Sequence, residues 1–245
     1  MALRFLANTV GAEAVYMECT NGSHVKTTGD QDTLVNLAWG ARHLGWQSSD
    51  TGARRITYIN KAGMDANHIV IAGADSLVGH TVKAAWYTSY PSTGTDLTLS
   101  LNLLGPKGTD YAEGLGALTG KEAFSLYLPD THAKSLPKLF FSQSVTFDEG
   151  VTITREPAWA QLRLRQQVYG ISEKLSLTVT GVSDATVAAF NALPALYEQP
   201  FFVYDTTSEF IIDGLVHVIM TNAPTIKAFD DFHTLSFDLF VLRYP

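Results

Sequence analysis

Apolar and polar residues alternate with a period of two along parts of the second half of the chain. The stretch 175–180 alternates Leu, Leu and Val with Ser and Thr, which is typical of a strand with one face towards a core and one towards water. The stretch 235–241 repeats this pattern, but Phe240 and Leu242 interrupt its polar face. We therefore expect the last strand to be covered on both faces.

One segment between these strands has the period of a helix instead. Val187, Phe190 and Leu193 recur at spacings that line one helical face. Ser183 or Asp184 precedes them and can accept hydrogen bonds from the first free backbone amides. The pattern predicts a helix over 183–197, which Pro194 should end or kink because proline has no amide hydrogen.

The first half consists of short apolar stretches separated by turn-rich connections. This spacing favours an antiparallel sandwich. The predicted strands are Val15 to Cys19, Ile56 to Asn60, Ile69 to Ala72, Thr81 to Tyr87, Leu97 to Leu104, Phe124 to Leu128 and Leu139 to Val145. The glycine-rich stretch Gly105 to Gly120 is predicted to be a long loop.

The length of 245 residues is enough for two domains with their own cores. The character of the chain changes near Phe147 to Gly150, where a new set of strands begins. We therefore predict one domain over 1–147 and a second over 148–245.

Composition narrows the possible partners. The net charge of −7 argues against a nucleic-acid partner, because phosphate binding relies on clustered Lys and Arg. No apolar run approaches the length of about 20 residues that spans a bilayer, so no membrane insertion is expected.

The N-terminus has too short an apolar core for a signal peptide, which makes folding in a cytoplasm the default. Cys19, the single cysteine, is interpreted as a structural thiol in a strand.

Candidates for catalysis or metal binding are few. Carboxylates are frequent in the C-terminal third, and a pair that includes Asp205 would suit a glycoside hydrolase, although Asp is also common at strand ends and in turns. The seven histidines show no metal-ligand spacing, and the glycines of 114–120 lack the βαβ context of a dinucleotide site. Asp30 and Asp32, in the stretch 29–32, could offer oxygen ligands to calcium, but two acids alone make a weak site. We predict no enzyme activity, no cofactor and no metal.

Glycan binding is the sharper alternative, since sugars stack on aromatic rings beside hydrogen-bonding side chains. The candidate residues are Trp39, Arg42, Tyr87 and Tyr90. Core packing is the competing interpretation for these aromatic side chains, and it is favoured for Trp46 and Trp86.

A second set of candidates concerns subunit contacts. Arg163 and Arg165 alternate with leucines, which places them on the exposed face of a strand, where an interface ion pair is as reasonable as a ligand contact. Phe240 interrupts the polar face of the last strand. We predict these three residues at an oligomer interface.

The first half contains a particular order of segments: Asn36-Leu37, Arg42, Gly45 to Ser48, Ile56 to Ile59, His68 to Ala74 and Gly79 to Val82. This order resembles the galactose-binding, or discoidin-like, jelly roll found in tail proteins of tailed bacteriophages. Leu136 to Phe141 is similar to the closing strand of that module, with Ser142 in place of its usual glycine.

The second half contains the segments Gly150 to Thr154, Glu173 to Gly181, the predicted helix, Gln199 to Asp205, Gly214 to Met220 and the strand that runs to Tyr244. These segments resemble the tube-like domain of phage distal tail and baseplate proteins, a β-sandwich flanked by one helix. The stretch 105–120 has no counterpart.

This resemblance implies a fold class and a function. The fold is expected to be mainly β, with an N-terminal jelly roll followed by a tail-tube-like sandwich. The function implied is that of a structural virion protein of a tail tip or baseplate, assembled in the host cytoplasm. Its partners would be further copies of itself in a ring, a hexamer or trimer, and other tail and baseplate proteins. The jelly roll would project outward towards a partner or a host-surface glycan, and a free-standing carbohydrate-binding module is the alternative function.

Overall fold

The predicted fold class is confirmed: the described part of the chain is mainly β, with antiparallel strands and a short helix at Asp184–Asn191. The computed structural model describes residues 3–8, 16–21, 34, 37, 45–73, 75–77, 79–91, 99–102, 110–130, 134–136, 138–148, 150–164, 167–193, 196, 199–205 and 215–243. It divides into a first unit, Thr9–Ser142, and a second unit, Met1–Asn8 with Gln143–Pro245.

The first unit is built on an antiparallel sheet in the order β2-β4-β7-β5-β6. Its strands are β2 (Tyr16–Asn21), β3 (Trp46–Gln47), β4 (Arg54–Ala72), β5 (Thr81–Tyr87), β6 (Leu99–Asn102), β7 (Asp110–Leu128), β8 (Ser135–Leu136) and the first part of β9 (Lys138–Phe147). A 3-10 turn occupies Asp75–Leu77. β3 and β8 form a separate two-stranded sheet, and Trp46 and Leu136 bring it into the same core as Tyr58, Phe124 and Phe141 of the larger sheet.

Two strands of this unit are longer than predicted. The stretches 56–60 and 69–72 belong to one strand, β4, and most of the predicted loop 105–120 is the first part of β7. The two strands pair along their whole length, but their register shifts several times between Ile59 and His68. These shifts interrupt the period of two, which is why the sequence pattern suggested separate strands and a loop.

The second unit has the order β10-β11-β15-β13-β12-β1, followed by the end of β9, and β14 also pairs with β15. Its elements are β1 (Leu3–Asn8), β10 (Val151–Leu164), β11 (Gln167–Val182), α1 (Asp184–Asn191), β12 (Phe201–Asp205), β13 (Leu215–Ile219), β14 (Thr225–Phe229) and β15 (Phe232–Arg243). The expected core faces of β11 and β15 are buried, and Leu242 packs with Ile219 in a further small cluster on the other side. No helix in the described ranges is long and apolar enough to cross a membrane.

The predicted helix is shorter in the structure. Ser183 caps it, accepting a hydrogen bond from the Thr186 amide at 3.2 Å. Phe190 is buried in the core of the second unit, as the periodicity indicated. The helix ends at Asn191 and not at residue 197, because the backbone before Pro194 is restricted and the proline offers no amide.

The structure divides the chain between Ser142 and Gln143, within ten residues of the predicted boundary after residue 147. It also joins Met1–Asn8 to the second unit. β1 pairs with β12, with Leu3 opposite Asp205. Arg4 of β1 donates to the Thr146 hydroxyl at 3.1 Å. Phe5 then lies at the centre of the core of the second unit. The centroid of its ring is 5.2 to 5.7 Å from the ring centroids of Phe147, Phe190, Phe201 and Phe237.

Candidate functional site

Two of the four predicted glycan-binding residues lie on one face of the sheet in the first unit. Trp39 and Arg42 fall outside the described residues. Tyr87 ends β5 and Tyr90 follows it, and both rings lie beside Arg55 of β4. The structure thus brings the two described tyrosines together, around an arginine that the sequence pattern had not marked.

Strand alternation puts these residues on the sheet face opposite the main core. Ile56 and Tyr58 of β4 point into that core, so Arg55 and Thr57 project from the other side. In the neighbouring strands Tyr127 lies opposite Arg55, and Glu18 lies opposite Thr57. We call Glu18, Arg55, Tyr87, Tyr90 and Tyr127 the arginine–tyrosine cluster.

The guanidinium of Arg55 is surrounded by aromatic rings. Its central carbon lies 4.9 Å from the ring centroid of Tyr87, 5.4 Å from that of Tyr90 and 5.2 Å from that of Tyr127. The hydroxyls of Tyr87 and Tyr127 are hydrogen-bonded at 2.7 Å. Arg55 is only 4% exposed, and its Nε donates to the Ser125 hydroxyl at 3.2 Å. The charge is therefore stabilised by cation–π contacts in a site with little water.

Tyr90 connects the cluster to the surface. Its hydroxyl donates to the buried carboxylate of Glu18, and its backbone amide donates to Glu122 at 2.9 Å. Lys61 donates to the Tyr90 carbonyl and also pairs with Glu122 at 2.7 Å. Burial, followed by the hydrogen bond to Glu18, raises the pKa of Tyr90 to about 12. The hydroxyl therefore remains a neutral donor throughout the physiological range.

The arrangement favours a structural role for most of the cluster. Arg55 covers one face of each of the three rings, and Tyr87 is buried. Tyr90 and Tyr127 are half-buried, so they are the members that an external ligand can reach. Any glycan contact at this site would be made by these two tyrosines.

The predicted interface residues of the second unit have three different outcomes. Arg163 is exposed on β10, and Arg165 lies outside the described residues. Phe240 is half-buried and packs against the cluster formed by Ile219 and Leu242 of the same chain.

The most exposed apolar side chains lie on two hairpins of the second unit, and sequence reasoning missed them. Trp159 of the β10–β11 hairpin is 74% exposed, and Phe229 and Phe232 of the β14–β15 hairpin are 61% and 55% exposed. Trp159 lies where the register between β10 and β11 shifts, beside a shallow groove also lined by Ala160, Gln161 and Ile171. The available sequence signal was Phe-Asp-Asp-Phe at 229–232, in which two turn-forming residues lie between two aromatic residues.

The hairpins project from opposite ends of the ladder between β11 and β15. Gly170 pairs with Arg243 at one end of this antiparallel ladder, and Val182 pairs with His233 at the other. The β10–β11 hairpin continues beyond Gly170 to the pair of Leu164 and Gln167. The β14–β15 hairpin turns just beyond His233. The second unit therefore presents aromatic residues at two sites that differ in shape and sequence.

Other candidates for chemistry are placed as follows. Asp205 is buried at the end of β12, and Asp230 and Asp231 form the turn between β14 and β15. Within the described ranges, no three His, Cys, Asp or Glu side chains are grouped so that they could hold a metal ion. Cys19 is buried in β2, as expected for a structural thiol.

Comparison with known proteins identifies no family. No protein-family profile and no curated protein matches the sequence. Among solved structures, the chain is similar to a GH29 fucosidase of Ruminococcus gnavus, with 11% identity and a TM-score of 0.42 over 56% of this chain and 27% of the fucosidase. It is also similar to the F5/8 type C domain of a Bacteroides fragilis protein, with 10% identity and a TM-score of 0.43 over 57% of this chain and 96% of the domain. Likenesses this distant assign no function to the chain.

Proposed function

We propose that this protein is a structural subunit of a bacteriophage tail tip or baseplate, and that it assembles into a ring through its second unit. The observation that carries the proposal is the exposure of Trp159, Phe229 and Phe232 on two hairpins at opposite ends of one sheet. Large aromatic side chains that remain in water are typical of surfaces that become covered by another protein.

The free edges of the sheet support the same proposal. Within the described part of the chain, β10 pairs only with β11, and β14 pairs only with β15. Unpaired strand edges accept further strands unless something covers them. Since the two hairpins differ, a contact between one of them and the other hairpin of a second copy is heterologous, and repetition of such a contact closes a ring when the rotation allows it.

The assignment to a phage tail comes from the order of sequence features in the two halves of the chain. On that basis the expected ring is a trimer or hexamer in the virion, in contact with other tail and baseplate proteins and assembled in the host cytoplasm. The proposal assigns the protein no catalytic reaction and no cofactor. The first unit is assigned contacts with a partner or with the host surface.

The test is the mass of the assembled protein. We expect the wild-type chain to form a ring of defined stoichiometry in light scattering and negative-stain microscopy. The variant Trp159→Ser should shift the population to monomers, whereas the matched variant Trp159→Phe, which keeps an aromatic ring, should retain assembly. A wild-type chain that stays monomeric at high concentration and is absent from phage particles would refute the proposal.

Glycan binding by the first unit is a second candidate function. It is supported by the half-buried tyrosines Tyr90 and Tyr127, which lie beside Arg55. The Tyr90 hydroxyl also donates to the Glu18 carboxylate. A glycan array should then show binding that Tyr90→Ala abolishes and that Tyr204→Ala, in the second unit, leaves intact. Equal binding by both variants, or none by the wild-type chain, would exclude this site.

A further inference from the structure

The two hairpins of the second unit differ in charge as well as in shape. The turn of the β14–β15 hairpin consists of Asp230 and Asp231, both exposed. Asp184, at the start of α1, is also exposed and is paired with His233 next to that turn. Lys227 is the one cation of β14. This end of the unit is predominantly acidic.

The β10–β11 hairpin has the opposite sign at its far end. Arg163 is exposed there, in the part of the hairpin that extends beyond the last residue paired with β15. Arg155, nearer the body of the sheet, is already paired with Glu173 at 2.7 Å, and Lys174 is paired with Asp238 at 2.9 Å. Arg163 has no acidic partner among the described residues. The sequence places a second arginine, Arg165, two positions further along.

We propose that the occupant of the β10–β11 hairpin is the β14–β15 hairpin of a second copy of this chain, with Arg163 facing Asp230 and Asp231 of that copy. One end carries Trp159 with the exposed Arg163, and the other carries Phe229 and Phe232 with the exposed Asp230 and Asp231, so these charges are opposite in sign. Apolar contact of Trp159 with Phe229 and Phe232 would provide most of the binding free energy. The charges would select contacts between unlike hairpins, that is, a head-to-tail arrangement. A contact between two β10–β11 hairpins, or between two β14–β15 hairpins, would place like charges together.

This inference rests on the proposed ring and names the surfaces that form it. Charge reversal tests it. Arg163→Asp and the double variant Asp230→Arg/Asp231→Arg should each weaken association by on the order of tenfold, because an attraction becomes a repulsion. Combining all three substitutions in one chain should restore association to near the wild-type value. The control is Lys83→Asp, which makes the same charge reversal as Arg163→Asp but at an exposed cation of the first unit. It should leave association unchanged.

Cross-linking provides an independent readout of orientation. Cys19 is buried, so a cysteine introduced at the surface is the reactive one. Arg163→Cys and Asp231→Cys in the same chain should give a ladder of covalent oligomers under mild oxidation, whereas either substitution alone should give no ladder.

The outcomes separate this inference from the proposed function. If the wild-type chain forms rings but charge reversal has no effect and the double cysteine variant gives no ladder, the head-to-tail pairing is wrong and the ring proposal stands. If the wild-type chain forms no oligomer even at low salt, both are refuted. Rescue by the combined charge reversal, together with the ladder, supports both.

Discussion

The arginine–tyrosine cluster and the two hairpins both depart from the usual distribution of polar and apolar groups. The cluster buries a charged group, whereas the hairpins expose apolar side chains. In the first unit a charged guanidinium is buried, and three tyrosine rings and the Ser125 hydroxyl surround it. In the second unit Trp159, Phe229 and Phe232 are exposed. Both arrangements are unfavourable for an isolated side chain. The surrounding rings and hydroxyl compensate the first within the chain, whereas the aromatic side chains of the hairpins remain largely in water, so they are the better indication of an external partner.

The largest effect expected from this comparison contrasts two phenylalanines of the second unit. Phe5→Ala removes the ring at the centre of the aromatic core and should lower the free energy of unfolding by about 3 to 5 kcal/mol. Phe229→Ala removes an exposed ring and should change it by less than about 0.5 kcal/mol in the monomer. Urea denaturation of dilute protein measures both. Similar losses for the two variants would mean that the β14–β15 hairpin is packed within the chain.

A smaller effect is expected from the arginines of the two regions. Arg55→Met keeps a long side chain but removes three cation–π contacts and the hydrogen bond to the buried Ser125 hydroxyl, which should cost about 3 kcal/mol. Arg163→Met removes an exposed charge and should be neutral for stability to within about 0.5 kcal/mol. Urea titrations and thermal melts measure the difference. If Arg55→Met is as stable as the wild-type chain, the cluster is not structural, and the argument for a ligand at this site becomes stronger.

The smallest effect is a pH dependence of the first unit. Burial and the hydrogen bond to Glu18 raise the pKa of Tyr90 from 10.0 to about 12. Because the folded state holds this proton more tightly, the stabilisation is complete below the unfolded pKa and is lost as the pH rises through the folded one. The difference in unfolding free energy between wild-type and Tyr90→Phe should therefore shrink from about pH 10 to about pH 12. A constant difference over that range would show that the hydroxyl is not held by Glu18.

Patterns within single strands and helices were predicted well. The buried faces of β11 and β15 follow from strict alternation, and the start of α1 follows from Ser183 before a helical period. These features depend on neighbours within a few positions, which is the range that a sequence pattern describes. The paired lengths of β4 and β7 were missed because shifts of register remove the alternation at the places where the strands continue.

The candidate sites were predicted only in part. Tyr87 and Tyr90 were chosen for their aromatic rings, but nothing in the sequence marks Arg55 as the residue they surround. The exposed Trp159 was not recognised, since the alternation around it is broken by the shift between Pro157 and Ala160. Exposure of an aromatic residue is decided by the presence or absence of a covering element, and a single strand does not carry that information.

The sequence by itself determined that the chain is mainly β, where several strands lie, which faces of β11 and β15 are apolar and where α1 begins. These properties arise from local backbone preferences and the two-residue period of side chains. Only the tertiary structure decided that Phe5 completes the core of the second unit and that Arg55 lies among three tyrosines. It also decided that the two aromatic hairpins stand at opposite ends of one ladder. The reason is the same in each case: Arg4 and Thr146 are 142 residues apart and Arg55 and Ser125 are 70 apart, and such contacts are chosen by strand pairing and not by neighbouring residues.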